Sequence, residues 1–101
     1  MDIEEKERIA RFRDTSPEAI ALRLRAARSL VAEQQKDFAA LLNINPKTYH
    51  YQEKTGAPSF QVLDYLYRNA RVGPNFVIIG EMLPLPGDVQ LALIAALQRA
   101  N

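Results

Sequence analysis

All six prolines of this chain stand at the borders of its apolar-periodic segments rather than inside them. That constrains the fold strongly. A proline inside a helix costs about 3 kcal/mol and a hydrogen bond, whereas at the first helical position it costs neither. Between these borders, apolar residues recur at spacings of three and four, and no run alternates as a strand would. The expectation is an all-α chain of short helices with chemically marked ends. Helices of two or three turns do not stand alone in water, so they must be held by packing on one another.

The borders can be read in order. Ser16-Pro17 opens the first firm helix, with Ile20, Leu24, Ala27 and Val31 as its apolar stripe and Glu18, Arg23 and Arg25 largely off it. A second helix is expected from about Gln35 to Leu42, turning Phe38, Leu41 and Leu42 inward. Asn43, which tolerates the left-handed conformation, ends it. Asn45-Pro46 repeats the cap-then-proline signal and starts a helix over 46–54, with Tyr49 toward the core and Gly56 and Pro58 closing it. Ser59 caps a fourth helix with Phe60, Leu63, Leu66, Tyr67 and Ala70 as its apolar positions. Gly73-Pro74 starts a short fifth helix through Phe76, Val77 and Ile79, ended by Gly80.

The two ends are organised differently. Ile3 to Arg13 is charged, with Ile9 and Phe12 on one face, and reads as a marginal helix or a frayed arm. Leu83 to Gly87 reads as an extended connector, after which Asp88 caps a last helix from Val89 to Ala100. The expected division is therefore an arm over 1–15, a main domain over 16–81, and a connector with a C-terminal helix over 82–101.

Composition narrows the function classes. There is no cysteine and one histidine, so no thiolate or histidine-rich metal site is expected. No nucleophile stands beside a base and no glycine loop suits a phosphate, so no catalytic residue and no cofactor are expected, and the chain reads as a non-enzyme. No apolar run reaches the roughly 18–20 residues that span a bilayer, and Met1-Asp2-Ile3-Glu4-Glu5 opposes a secretory signal. A cytoplasmic location without a membrane partner is expected. The net charge is only +1, but the span from Pro17 to Gly56 holds six bases against four acids.

Within that span, Gln35 to Glu53 reads as a short helix, a tight turn and a second short helix. This is the layout of a helix-turn-helix, whose second helix can enter the major groove of double-stranded DNA. Lys47, His50 and Tyr51 are then the base-reading candidates, since they fall on other faces than Tyr49. A lysine reaches guanine O6 and N7 or neutralises a phosphate. A histidine donates or accepts, and a tyrosine hydrogen-bonds or packs on a thymine methyl. Gln35, Asn45, Thr48, Lys54 and Thr55 are the candidates for the sugar-phosphate backbone, with Lys54 and Thr55 expected to follow the helix.

Residues 20–81 resemble the Cro/C1-type, or xenobiotic-response-element, family of bacterial lambda repressor-like regulators. The resemblance is carried by Leu24-Arg25-Ala26-Ala27-Arg28, Gln35, Phe38-Ala39, Leu42, Ile44-Asn45, Tyr49 and Glu53. Pro58-Ser59-Phe60 and Pro74-Asn75-Phe76-Val77-Ile78-Ile79-Gly80-Glu81 extend it. It implies a five-helix DNA-binding domain, here with an additional C-terminal helix, acting as a homodimeric repressor on a palindromic operator. It further implies a small Ala39 between the two motif helices, a pair between Arg28 and Glu53, and a phosphate contact from Gln35. The chain departs from the family pattern at Ala32-Glu33, Gln34, Pro46 and Gln52.

The last helix is apolar on most sides, so Val89, Leu93 and Leu97 are expected to face a second subunit as well as their own domain, leaving Gln90, Gln98 and Arg99 as its polar surface. A competing expectation is a protein-interaction module, or an antitoxin that also binds its own operator, built on the same fold.

Overall fold

The computed structural model describes residues 1–100, and among them every regular element is a helix: α1 Ile3–Ile9, α2 Pro17–Ser29, α3 Gln35–Leu42, α4 Pro46–Thr55, α5 Phe60–Ala70, α6 Pro74–Ile79 and α7 Gly87–Ala100. No helix among the described residues is long and apolar enough to cross a membrane. The starts follow local chemistry. Asp2, Ser16, Asn45 and Ser59 each accept a backbone N–H of the helix they precede, at 2.8–3.2 Å. The ends follow it too: Asn43, Gly56 and Gly80 are left-handed, with φ of 56°, 65° and 82°. Gly56 has no substitute, because a Cβ there would lie 2.1 Å from the Pro17 carbonyl oxygen.

α2 is the spine. It packs on α4, α5, α6 and α7, and Ala19, Ala21, Leu22, Arg23, Leu24, Ala26, Ala27 and Arg28 are all buried along it. A single stripe does not describe it, and Arg23, expected largely off that stripe, is fully buried. Its guanidinium uses all five N–H donors on backbone carbonyls. Nε donates to Val77 O at 2.9 Å, Nη1 to Ala10 O at 2.9 Å and Arg11 O at 3.1 Å, and Nη2 to Asp14 O at 2.6 Å and Ile78 O at 2.8 Å. Those of Ala10, Val77 and Ile78 are trailing carbonyls of α1 and α6, at the negative ends of the helix dipoles, and those of Arg11 and Asp14 belong to the turn after α1. The cation is met by dipoles rather than by a carboxylate.

The N-terminal segment, expected as a marginal helix or a frayed arm, is a seven-residue helix with no buried residue of its own, fastened to the core from its C-terminal end onward. Ala10 is fully buried, Arg13 N donates to Ile79 O at 2.7 Å, and Lys6 Nζ donates to Gln90 Oε1 at 2.8 Å on α7. The C-terminal segment also packs on the core. Val89, Leu93 and Leu97, expected to face both their own domain and a second subunit, do pack on their own domain, buried in the same core cluster as Ala10, Leu24 and Val77, which leaves them no surface for another subunit. The outward residues of α7 are Leu91, Ala92, Ala95, Gln98 and Arg99. Gln90, expected on the polar surface, is buried and donates to Leu85 O at 2.9 Å, fastening the connector. α7 starts at Gly87, so Asp88 sits inside its first turn and pairs with Arg71 at 2.5 Å rather than preceding the helix.

Two apolar expectations are also reversed. Leu41 is 56% exposed, and on α5 the buried residues are Val62 and Leu66, while Phe60 is 91% exposed and Tyr67 points outward. α5 carries apolar residues on two faces, and spacing alone does not say which one meets α2.

Replacing Arg23 by Met keeps an unbranched apolar stem but removes the guanidinium from the carbonyls of Ala10, Asp14, Val77 and Ile78, while Arg11 O keeps Asp14 N. A loss of more than about 3 kcal/mol is expected, lowering the thermal midpoint by more than about 10 °C for a chain of this size. Arg23→Lys supplies three donors instead of a planar fork and is expected to fall between the two. A midpoint for Arg23→Met within two degrees of the parent would show that the carbonyls find other partners.

Candidate nucleic-acid interface

The turn between α3 and α4 is built by Asn43. In its left-handed conformation, Asn43 N reaches Ala40 O at 3.1 Å and Ile44 N reaches Ala39 O at 3.0 Å, closing the end of α3. Gln61 Nε2 from α5 takes the Leu42 carbonyl at 2.9 Å. Ala39 is fully buried between the two helices, where a larger side chain would force them apart. Beside it the Phe38 ring meets the Tyr49 ring at 4.8 Å and the Tyr65 ring edge-on at 5.6 Å.

The inner side of α4 is then fastened by charge. Arg28 Nε donates to Glu53 Oε2 at 2.8 Å and Nη2 to Oε1 at 3.3 Å, and both residues are buried. Arg28 Nη1 also takes the Ala32 carbonyl at 3.2 Å and the Glu33 carbonyl, tying down the segment before α3. Tyr49 Oη donates to Glu53 Oε2 at 2.5 Å and Gln35 Nε2 to Oε1 at 2.9 Å, so the carboxylate accepts four bonds. Burial by itself raises the Glu53 pKa, but the bonds from Arg28, Tyr49 and Gln35 outweigh it and hold it below the ordinary value. Burial likewise lowers that of Arg28, and Glu53 more than restores it. Burial and the adjacent carboxylate push the Tyr49 hydroxyl well up, so it remains a donor.

The outer side of α4 is free of such ties. Lys47, Thr48, His50, Tyr51 and Lys54 are exposed on it. Asn45 caps Lys47 N through Oδ1 at 2.8 Å, which leaves its amide N–H groups outward. Two expectations shift. α4 extends through Thr55, so Lys54 and Thr55 lie within the helix rather than after it, and Thr55 Oγ1 donates to Tyr51 O at 2.7 Å. Gln35, expected against phosphate, is engaged twice inside the protein, with Glu53 and with His50 Nδ1 at 2.9 Å. Gln52, a departure from the family pattern, accepts Ser59 N at 2.9 Å and so fixes the start of α5. Only this contact, seven residues along the chain, explains it.

Of the six bases between Pro17 and Gly56, Arg23 and Arg28 are consumed internally, which leaves Arg25, Lys36, Lys47 and Lys54 toward solvent. A groove of about 650 Å³ is lined by Tyr67, Arg71, Phe76 and Leu85 among others and includes no residue of α3 or α4. Set against family models, curated proteins and solved structures, the chain finds no match.

Breaking the buried pair by Arg28→Ala leaves Glu53 ionised under Tyr49 and Gln35, and a loss of about 3–5 kcal/mol is expected in denaturant titrations. Because the folded Glu53 pKa is depressed, its stabilisation is complete above the unfolded value near 4.5 and fades as pH falls through the folded one. Between pH 6 and 3 the parent should therefore lose stability more steeply than Glu53→Gln. Parallel curves for the two would mean that Glu53 contributes nothing to acid sensitivity.

Proposed function

We propose that the chain is a DNA-binding transcriptional regulator of the lambda repressor-like, Cro/C1 type, most simply a repressor, reading the major groove with α4. One observation carries this reading. α4 is clamped along its inner side by Tyr49 and Glu53 to α2 and α3, while Lys47, Thr48, His50, Tyr51 and Lys54 are exposed on one short helix. A helix clamped so firmly on one side and furnished with donors, acceptors and cations on the other suits a groove of about 12 Å lined by base edges and phosphates. The resemblance of residues 20–81 to the family supports the same reading. No reaction is assigned to these side chains.

The regulator is proposed to act as a homodimer on a palindromic operator. Since Val89, Leu93 and Leu97 are interior, the exposed apolar side chains open to a second copy include Leu41, Phe60, Tyr67, Leu83 and Leu91. The same surface favours the second reading, an antitoxin-like protein that also holds a protein partner. The low outward positive charge fits that alternative as well.

Binding to random duplex DNA should weaken steeply with salt, with a log–log slope of about −0.9 for each phosphate neutralised. Lys47→Ala should either relax preference at one base position or reduce that slope by about one. Lys47 is exposed, so the variant should melt like the parent. An absence of duplex binding at low salt, with the fold intact, would leave the interaction module as the better reading.

A further inference from the structure

The contacts between α3 and α4 determine which hydrogen bond His50 can offer. Glu53 is the starting point. Its carboxylate takes four donors, from Arg28 Nε and Nη2, Tyr49 Oη and Gln35 Nε2. An ionised carboxylate only accepts, so the end of the Gln35 amide that faces it must be the NH₂. The Gln35 carbonyl Oε1 is thereby turned to His50, 2.9 Å from Nδ1. A carbonyl oxygen only accepts, so Nδ1 must carry the proton. In the neutral ring Nε2 is then bare. This is the reverse of the tautomer that dominates for a free histidine side chain in water.

We propose that Gln35 is a positioning residue that holds His50 as the Nδ1–H tautomer, so that α4 presents Nε2 outward as an obligate acceptor that reads an exocyclic amino group. The proposal rests on the DNA-binding reading and specifies its chemistry. An acceptor is of no use against phosphate, which also only accepts, so this face of His50 is a base reader rather than a backbone contact. In the major groove the amino donors are adenine N6 and cytosine N4, whereas guanine and thymine offer acceptors. His50 should therefore select adenine or cytosine over guanine or thymine on the strand it faces. The Gln35 side chain bears on this readout through His50, to which its carbonyl is turned.

Two measurements test this separately. The first needs no DNA: ¹⁵N-detected imidazole spectra of the full chain at pH 8, simplified by its single histidine. The parent should show a protonated Nδ1 and a pyridine-type Nε2, and Gln35→Ala should revert toward the Nε2–H form. A parent already in the Nε2–H form overturns the proposal whether or not the protein binds DNA.

The second is selection of bound sites from a random duplex library at pH 8. The position relaxed by His50→Ala identifies the base pair it faces. There, replacing adenine by purine or cytosine by 2-pyrimidinone, which lack only the amino group, should weaken parent binding by roughly three- to tenfold, the worth of one hydrogen bond. Gln35→Ala should lose that penalty while leaving other positions unchanged. No penalty for the parent at that pair overturns the readout but not DNA binding. Failure of the parent to bind any duplex overturns the DNA reading and the readout together, and the spectra still report on the tautomer.

Discussion

A fully buried guanidinium with no carboxylate partner holds this fold together. Arg23 is neutralised by five backbone carbonyls drawn from the end of α1, the following turn and the end of α6. The carbonyls of Ala10, Val77 and Ile78 stand at helix ends, which leave carbonyls unpaired. One side chain therefore satisfies three segments that would otherwise have to stay at the surface. The turn after α1 also places Arg11 and Arg13 in the left-handed region, with φ of 55° and 72°. That conformation is costly for a residue with a Cβ, and the bonds from Arg23 and the Arg13–Ile79 contact hold it in place. Gly80 completes the corner: a Cβ there would press on Ala10 O at 2.8 Å and on the guanidinium at 3.2 Å.

The same helix carries a second buried arginine five positions later. At 3.6 residues per turn, Arg23 and Arg28 point roughly 140° apart around the α2 axis. One draws in α1 and α6, the other draws in α4 and the segment before α3. Their electrostatics differ. Arg23 is hydrogen-bonded to carbonyl dipoles, and burial lowers its pKa, with the charge of Asp14 opposing and that of Arg11 adding to it. Arg28 is compensated by a full charge and is raised. α2 thus links the rear of the molecule to the α3–α4 unit through two short, rigid connections, and no long side chain in the link is left free to move.

That rigidity bears on function through the contrast across α4. Inside, Tyr49 and Glu53 are saturated; outside, five polar or aromatic side chains carry almost no intramolecular ties. Ordering cost is met during folding rather than on binding, which favours a reader whose backbone does not rearrange. Gln35 joins the two sides, because it spans from the buried carboxylate to an exposed imidazole. The internal electrostatics of the fold thereby reach the surface as a choice between donor and acceptor.

The sequence by itself determined the helices and their ends. Ser16-Pro17, Asn43, Asn45-Pro46, Ser59 and Gly80 act within one turn of where they stand, so their chemistry is legible without a fold. The Arg28–Glu53 pairing was legible only through resemblance, as residues twenty-five apart give no local sign of meeting. Tertiary structure decided the rest. It placed Arg23 inside, because the carbonyls that receive it come from α1 and α6. It turned Phe60 outward and Val62 inward, because α5 has two apolar faces and only its packing on α2, α3 and α6 selects one. It also buried Val89, Leu93 and Leu97 within a single chain, since hydrophobic burial has no direction and takes whichever surface the fold brings near.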